Sequence, residues 1–204
     1  MSRLREISPA VNVSADEFLR SLPPAMQDIV IRIRREKVAG VRPKPSQALV
    51  DHSSMLTPIQ RHAILDSVAN LVDENLCGRS EMCQQFAYLL CCALTHLNLP
   101  ARSVLGEAIY YDSSAKEVFR WRHAWVRVGE EVIDGNVDSL PENPMVPGSV
   151  KVNPYWGPIR KTPTDRKLRE QRGATLDPDN DVSGIWWPEL KEWLDQSLPS
   201  FKSP

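Results

Sequence analysis

The 204-residue chain lacks a long apolar run: its longest, Phe86 to Leu94, is less than half of what a membrane-spanning helix needs. It lacks charge of one sign, since 25 basic and 26 acidic residues leave a formal net charge of −1. That balance argues against a general nucleic-acid binder. The stretch MSRLREISPAVNVSADEF has no apolar centre of the kind a secretory signal carries, so cytoplasmic placement is the expectation. Cys77, Cys83, Cys91 and Cys92 crowd one window without a Cys-x-x-Cys spacing, which points to neither a zinc site nor a disulfide framework. No metal or cofactor is expected, internal repeats are absent, and the length suits one domain with appended segments.

What is present has clear punctuation. Ser14-Ala-Asp-Glu17 reads as a capping box for a short helix over 15–22. Pro23-Pro24 interrupts it before AMQDIVIRIRREK resumes as an amphipathic helix to about Lys37. Residues 39–55 have no clear period and read as a connector. Thr57-Pro58-Ile59-Gln60 combines an N-cap, a proline at N1 and a glutamine at N3. The helix it opens is expected to reach about Leu76 and to bury Ile64, Val68, Leu71 and Val72. Gly78 breaks it, and Ser80 is placed to cap a helix from Glu81 to about Leu97, apolar on every side between Phe86 and Leu94. After Pro100 the period changes to that of strands, 101–111, 118–128 and 131–138, with turns at Asp112–Lys116 and Gly129-Glu130. Residues 141–181 read as loop. SGIWWPELKEWLDQSL reads as an amphipathic helix whose Trp187 and Trp193 pack back on the body. The organisation expected is an N-terminal extension (1–55), an α+β core (56–138) and a loop-rich C-terminal extension (139–204).

One thiol stands apart. With Ser80 as cap, Cys83 falls in the first helical turn, where free backbone N–H groups and the helix dipole favour thiolate. Cys91 and Cys92 lie two turns further in, among leucines, and are expected to be inert. A nucleophilic thiol needs a base. His62 and His96 sit on helices, His52 in a loop, whereas His123 lies in a strand whose alternation places Phe119, Trp121, His123 and Trp125 on one face. A two-residue turn at Gly129-Glu130 pairs Val128 with Glu131, Trp125 with Asp134 and His123 with Asn136. Asp134 and Asn136 then both project toward the imidazole, at direct or diagonal cross-strand distance. Either could orient it, and a carboxylate stabilises the cation better, so Asp134 ranks first.

The segments Cys83-Gln-Gln-Phe-Ala87, Asn98-Leu-Pro-Ala-Arg-Ser-Val-Leu-Gly106, His123-Ala-Trp-Val126 and Ile133-Asp134 together resemble the transglutaminase-like superfamily. That family's pattern is a helix-leading Cys-x-x-x-Ala, a Gly-Ile-Pro-Ala-Arg-x-Val-x-Gly segment beginning fifteen residues after the cysteine, then His-Ala-Trp-Val and an aspartate on the next strand. Cys83 to Asn98 is that spacing without a gap. The resemblance implies a papain-like α+β core, a buried helix with its N-terminal cysteine packed on a small antiparallel sheet. It also implies Cys83 as nucleophile, His123 as base and Asp134 as orienting acid, with no cofactor.

Two residues depart from the pattern. Asn98 replaces a glycine, and asparagine also tolerates a left-handed helix end. Glu81 stands where the family often has glycine, two residues before the cysteine, and is expected to narrow the cleft or repel acidic substrates. Trp121 and Trp125 are expected to line that cleft, and Asn136 to give orienting or oxyanion support. All tryptophans lie at 121 or later, so the upstream oxyanion tryptophan of many members has no counterpart; the Cys83 backbone N–H is the donor to name. The expected activity is a cysteine peptidase or amidase on a protein or peptide, working through a thioester. A protein-glutamine transamidase and a non-catalytic peptide-binding module on the same fold are the alternatives.

Overall fold

The computed structural model describes residues 20–76, 78–174, 176 and 182–197. Of the helix expected over 15–22, only the last residues lie in the described part, and Arg20 and Ser21 are helical. Pro24 opens α1 (Pro24–Val38), as the prolines predict. The expected connector is not featureless: it holds a 3₁₀ turn at Pro45–Ala48 and a two-residue strand, β1 (Val50–Asp51). Helix α2 (Pro58–Leu76) begins with the reciprocal cap that its sequence announces. The Thr57 N–H donates to Gln60 Oε1 at 2.6 Å, and the Gln60 N–H donates to Thr57 Oγ1 at 3.3 Å.

The central helix of the core, α3 (Cys83–His96), starts two residues later than expected, with Met82 rather than Ser80 at the N-cap. The reason is the backbone before it. Glu81 is left-handed at φ 65°, and the Met82 N–H closes a turn onto the Arg79 carbonyl at 3.1 Å. A helix cannot pass through a left-handed residue, so it begins after it. Cys83 therefore occupies the first helical position.

Strands β2 (Ala101–Tyr111), β3 (Glu117–Val128) and β4 (Glu131–Asp134) form an antiparallel meander. The expected loop region supplies two more, β5 (Tyr155–Pro158) and β6 (Arg166–Glu170). They escape sequence reading because β5 is four residues ending in proline and β6, RKLRE, is a charged edge strand. The mixed sheet runs β1-β5-β4-β3-β2-β6, with only β1 and β5 parallel. The β3–β4 register is the predicted one, Val128 opposite Glu131 and Val126 opposite Ile133. Gly129 alone turns with positive φ (54°), the position where a tight hairpin favours glycine.

The third strand is shorter than expected and stops at Asp134 rather than 138. A Cβ on the next residue, Gly135, would lie 2.8 Å from both Leu65 and Phe86, so the chain passes against the two helices there and turns into a 3₁₀ segment, Val137–Glu142.

The sheet has two dissimilar faces. On the convex face Leu105, Ala124, Val126, Val128, Ile133 and Trp156 form one core with the apolar sides of α2 and α3. Ile64, Val68, Leu71 and Val72 are buried there as expected. The last helix, α4 (Trp187–Ser197), follows a π-helical turn at Val182–Trp186 and closes this core with Leu190 and Leu194. Trp187 and Trp193 do pack on it, half-buried, but Trp186 goes deeper.

On the concave face stand His123, Trp125, Asp134 and Arg166. The curl is visible in one contact: Arg166 on β6 binds Asp134 on β4. Three strand spacings would hold them about 14 Å apart in a flat sheet, beyond an arginine's reach. Gly106 permits the curl, since a Cβ there would lie 2.1 Å from the Arg169 carbonyl and 2.7 Å from the Trp125 ring.

Candidate active site

The early end of β4 leaves one edge of β3 open, and the first turn of α3 sits against it. With Val128 and Val126 paired toward β4, Ala124 points its N–H the same way but past the end of that strand. That N–H lies close enough to the Cys83 sulfur to favour the thiolate. Cys83 is buried at 7% exposure. The first ladder bond of α3 runs from the Phe86 N–H to the Met82 carbonyl at 2.9 Å, so the N–H groups of Cys83 to Gln85 have no acceptor within the helix.

His123 and Asp134 meet as the hairpin register predicts, diagonally across β3 and β4. Nε2 lies 2.7 Å from Asp134 Oδ1, and each residue is 1% exposed. The other ring nitrogen, Nδ1, is buried and lacks a partner of full hydrogen-bond geometry. The Cys83 thiol lies close enough to that ring for each to shift the other's ionisation.

Those shifts have opposed causes. Burial pushes the Cys83 thiol up, but the His123 imidazolium and the Ala124 N–H outweigh it, and the thiol ends below its ordinary 9.0. Burial pushes the His123 ring down, but the Asp134 carboxylate, with Cys83 adding to it, outweighs that and carries it from 6.5 to about 10. Burial pushes Asp134 up, and His123 with Arg166 pull it below its ordinary 3.8. Both shifts run in the direction of a thiolate beside an imidazolium.

Arg166 completes the group, and sequence reasoning misses it. Its Nη1 donates to Asp134 Oδ2 at 2.8 Å, its Nε donates to Asp165 at 2.8 Å, and its Nη2 reaches the Asn153 carbonyl. One carboxylate oxygen thus serves the imidazole and the other serves the guanidinium. The only sequence signal is a lone arginine within a charged run, which reads as solvated surface. Tyr110, opposite Arg166 in the sheet, is fully buried with a hydroxyl that has no hydrogen-bond partner among the described residues.

Asn136 is not where the expected longer strand would put it. It lies beyond β4, and its Nδ2 donates to the Arg79 carbonyl at 2.9 Å, so it steadies the turn ahead of Cys83 and makes no hydrogen bond to the imidazole. That turn is held on its other side by charge. The Arg79 guanidinium is 1% exposed and binds Asp138 at 2.7 Å and Asp73 at 3.3 Å. Asp73 also takes Arg42 at 3.0 Å, and Arg42 pairs with Glu142. Residues from the N-terminal segment, α2 and the stretch after β4 thereby brace the loop that presents the thiol.

Glu81 is exposed, and its Oε1 accepts from Asn143 Nδ2 at 2.7 Å. Its φ of 65° gives the physical reason a glycine would suit this place. Trp125 is 3% exposed, packs with Val104, Val132 and Tyr155, and holds its ring 6.2 Å from that of His123. Trp121 is half-buried against Phe119, with ring centroids 5.8 Å apart.

The remaining candidates go elsewhere. Burial raises the thiols of Cys91 and Cys92, in keeping with inert cysteines. Cys77 lies outside the described residues. His96 binds Asp195 at 2.9 Å and joins α3 to α4, and His52 sits edge-on to Tyr155. Among the described residues no group of three or more His, Cys, Asp or Glu side chains is placed to hold a metal ion. Among them, too, no helix is long and apolar enough to cross a membrane.

The fold is α+β, a curled mixed six-stranded sheet with helices packed on one face. No family model matches the chain, and no curated protein does either. A crystal structure solved as a genomics target is similar in fold, with a TM-score of 0.52 at 12% identity over 71% of this chain and 82% of that one.

Proposed function

We propose that the chain is a thiol enzyme of the transglutaminase-like, papain-like kind that cleaves amide bonds in proteins or peptides. The observation that carries this reading is the Cys83–His123–Asp134 cluster, with an imidazole held at 2.7 Å by a buried carboxylate beside a thiol at a helix start. In the reaction, the Cys83 thiolate attacks the amide carbonyl carbon. The free N–H groups at the start of α3 receive the developing oxyanion. The imidazolium gives its proton to the departing amine as the C–N bond breaks, leaving a thioester. His123 then takes a proton from water, hydroxide adds to the thioester, and the carboxylic acid leaves as the thiolate is restored. Asp134 holds the ring in place throughout, and Arg166 holds Asp134.

Hydrolysis is favoured over transfer to an amine by the placement of Trp125. Transamidation needs a channel that admits an amine while excluding water, and this ring, 3% exposed, is taken up by packing with Val104, Val132 and Tyr155. Cys83, Cys91 and Cys92 are all free thiols, which suits a reducing compartment such as the cytoplasm.

The test is direct. Iodoacetamide is expected to alkylate Cys83 at about pH 6, where a free thiol of pKa roughly 8.5 reacts slowly. Labelling no faster than free cysteine supports the non-catalytic binding module instead. Incubation with a proteome and a fluorescent amine separates the two chemistries: new N-termini mark hydrolysis, and incorporated amine marks transamidation.

A further inference from the structure

The concave face of the sheet continues past the triad into a cavity of about 220 Å³. Trp125, Val132 and Leu168 give it an apolar floor, and Arg127 and Arg166 stand on its walls; Lys167 borders it only at the strand edge, its side chain belonging to the other face of β6. One carboxylate, Glu170, also borders it, but both of its oxygens are taken by Arg102, at 2.7 and 2.8 Å. Arg166 is likewise committed, to Asp134 and Asp165.

Arg127 is the cation left: it makes no ion pair among the described residues, and Glu170 reaches it only as a neighbouring charge. It gives one N–H to the Gly129 carbonyl at 3.0 Å, while its Nε is buried without a partner among the described residues. A buried guanidinium N–H without an acceptor is costly unless something supplies one. The cavity is smaller than the pockets that take drug-sized ligands. An apolar floor, a guanidinium with an unmet N–H at the wall and small volume together describe the complement of a short aliphatic carboxylate.

We propose that this cavity is a binding site for a small apolar carboxylate, whose acid group pairs with Arg127 while its alkyl part covers Trp125 and Leu168. Neither Cys83 nor His123 lines this cavity, so its ligand is not the substrate of the reaction above. The same chemistry is offered by a free carboxylic acid and by the carboxyl end of a peptide finishing in an apolar residue.

Calorimetric titration of the full chain with hexanoate, hexan-1-ol, acetate and N-acetyl-alanyl-leucine tests the site. Hexanoate is expected to bind at one site, with the alcohol and acetate at least about tenfold weaker, because the first lacks the charge and the second the alkyl group. Tighter binding of the dipeptide than of hexanoate identifies a peptide end as the source, and the reverse a free acid. Arg127→Gln is expected to weaken hexanoate about tenfold while leaving the Cys83 alkylation rate unchanged. Equal binding of alcohol and acid, no binding by any probe, or full affinity in Arg127→Gln overturns the proposal. None of these readings depends on whether Cys83 proves reactive, so the two ideas fail separately.

Discussion

The two faces of the one sheet are built by opposite rules. The convex face is apolar, and Val126 and Ile133 of the sheet are fully buried there together with Leu90 of the covering helix α3. Each such side chain contributes stability simply by leaving water, at about 1.5–3 kcal/mol. The concave face buries a histidine, an aspartate and an arginine just as completely, each at 4% exposure or less. Burying charge costs free energy that only mutual pairing recovers. The convex face therefore holds the molecule together, and the concave face spends part of that stability on keeping a set of charges dry and aligned.

Substitutions that set the two faces against each other give the sharpest tests. The largest effect is expected from His123→Ala, which should slow Cys83 alkylation near neutral pH about 10²- to 10⁴-fold. His96→Ala, on the helical side, should leave the rate unchanged, and equal effects from the two would dissolve the distinction.

Next comes Arg166→Met, which strands a buried carboxylate and should cost about 3–5 kcal/mol in denaturant unfolding. It should also move a pH limit. Asp134 is held below its ordinary 3.8, so its stabilising contribution is present above that pH and lost as the pH falls through the lower folded value. Without Arg166 the folded value rises, and acid unfolding should begin at higher pH. On the alkaline side, the imidazolium contribution is complete below 6.5 and fades as the pH rises through about 10, so the melting temperature should fall there in both proteins. Arg166→Lys should restore part of the acid tolerance; no difference between Lys and Met would make the role one of packing alone.

On the convex face, Leu90→Ala should cost about 2–5 kcal/mol but leave the alkylation rate of the folded protein intact. A parallel loss of thiol reactivity would show that the two faces are not separable. The smallest effect is expected from Glu81→Gly. It relieves a left-handed residue worth about 1–2 kcal/mol but gives up the Asn143 hydrogen bond and adds backbone entropy to the unfolded chain. The net change should stay within about 1 kcal/mol, and a larger loss would mean that Asn143 shapes the loop more than the backbone does.

Three of the four residues in the buried charge group were legible in the sequence. Cys83 is marked by a helix break before it, and the Gly129-Glu130 turn places Asp134 within diagonal reach of His123. Arg166 was not legible. Its strand, RKLRE, carries no alternation, and its partner lies 32 residues away on a strand it does not touch in the sheet order. Asn136 failed for the converse reason: pattern alone continued the strand, whereas the contact of Gly135 with Leu65 and Phe86 ended it.

What the chain determines by itself is everything that closes over a few residues: the Thr57–Gln60 cap, the run of apolar positions on α2 and α3, the hairpin and its register. These depend on dihedral preferences and on neighbours within one turn, which a sequence displays directly. Where the helix begins, where β4 stops and which guanidinium meets Asp134 were decided only by the folded sheet. Its curl, and the backbone approaches that Gly106 and Gly135 allow, bring together groups whose attraction has no trace in local order.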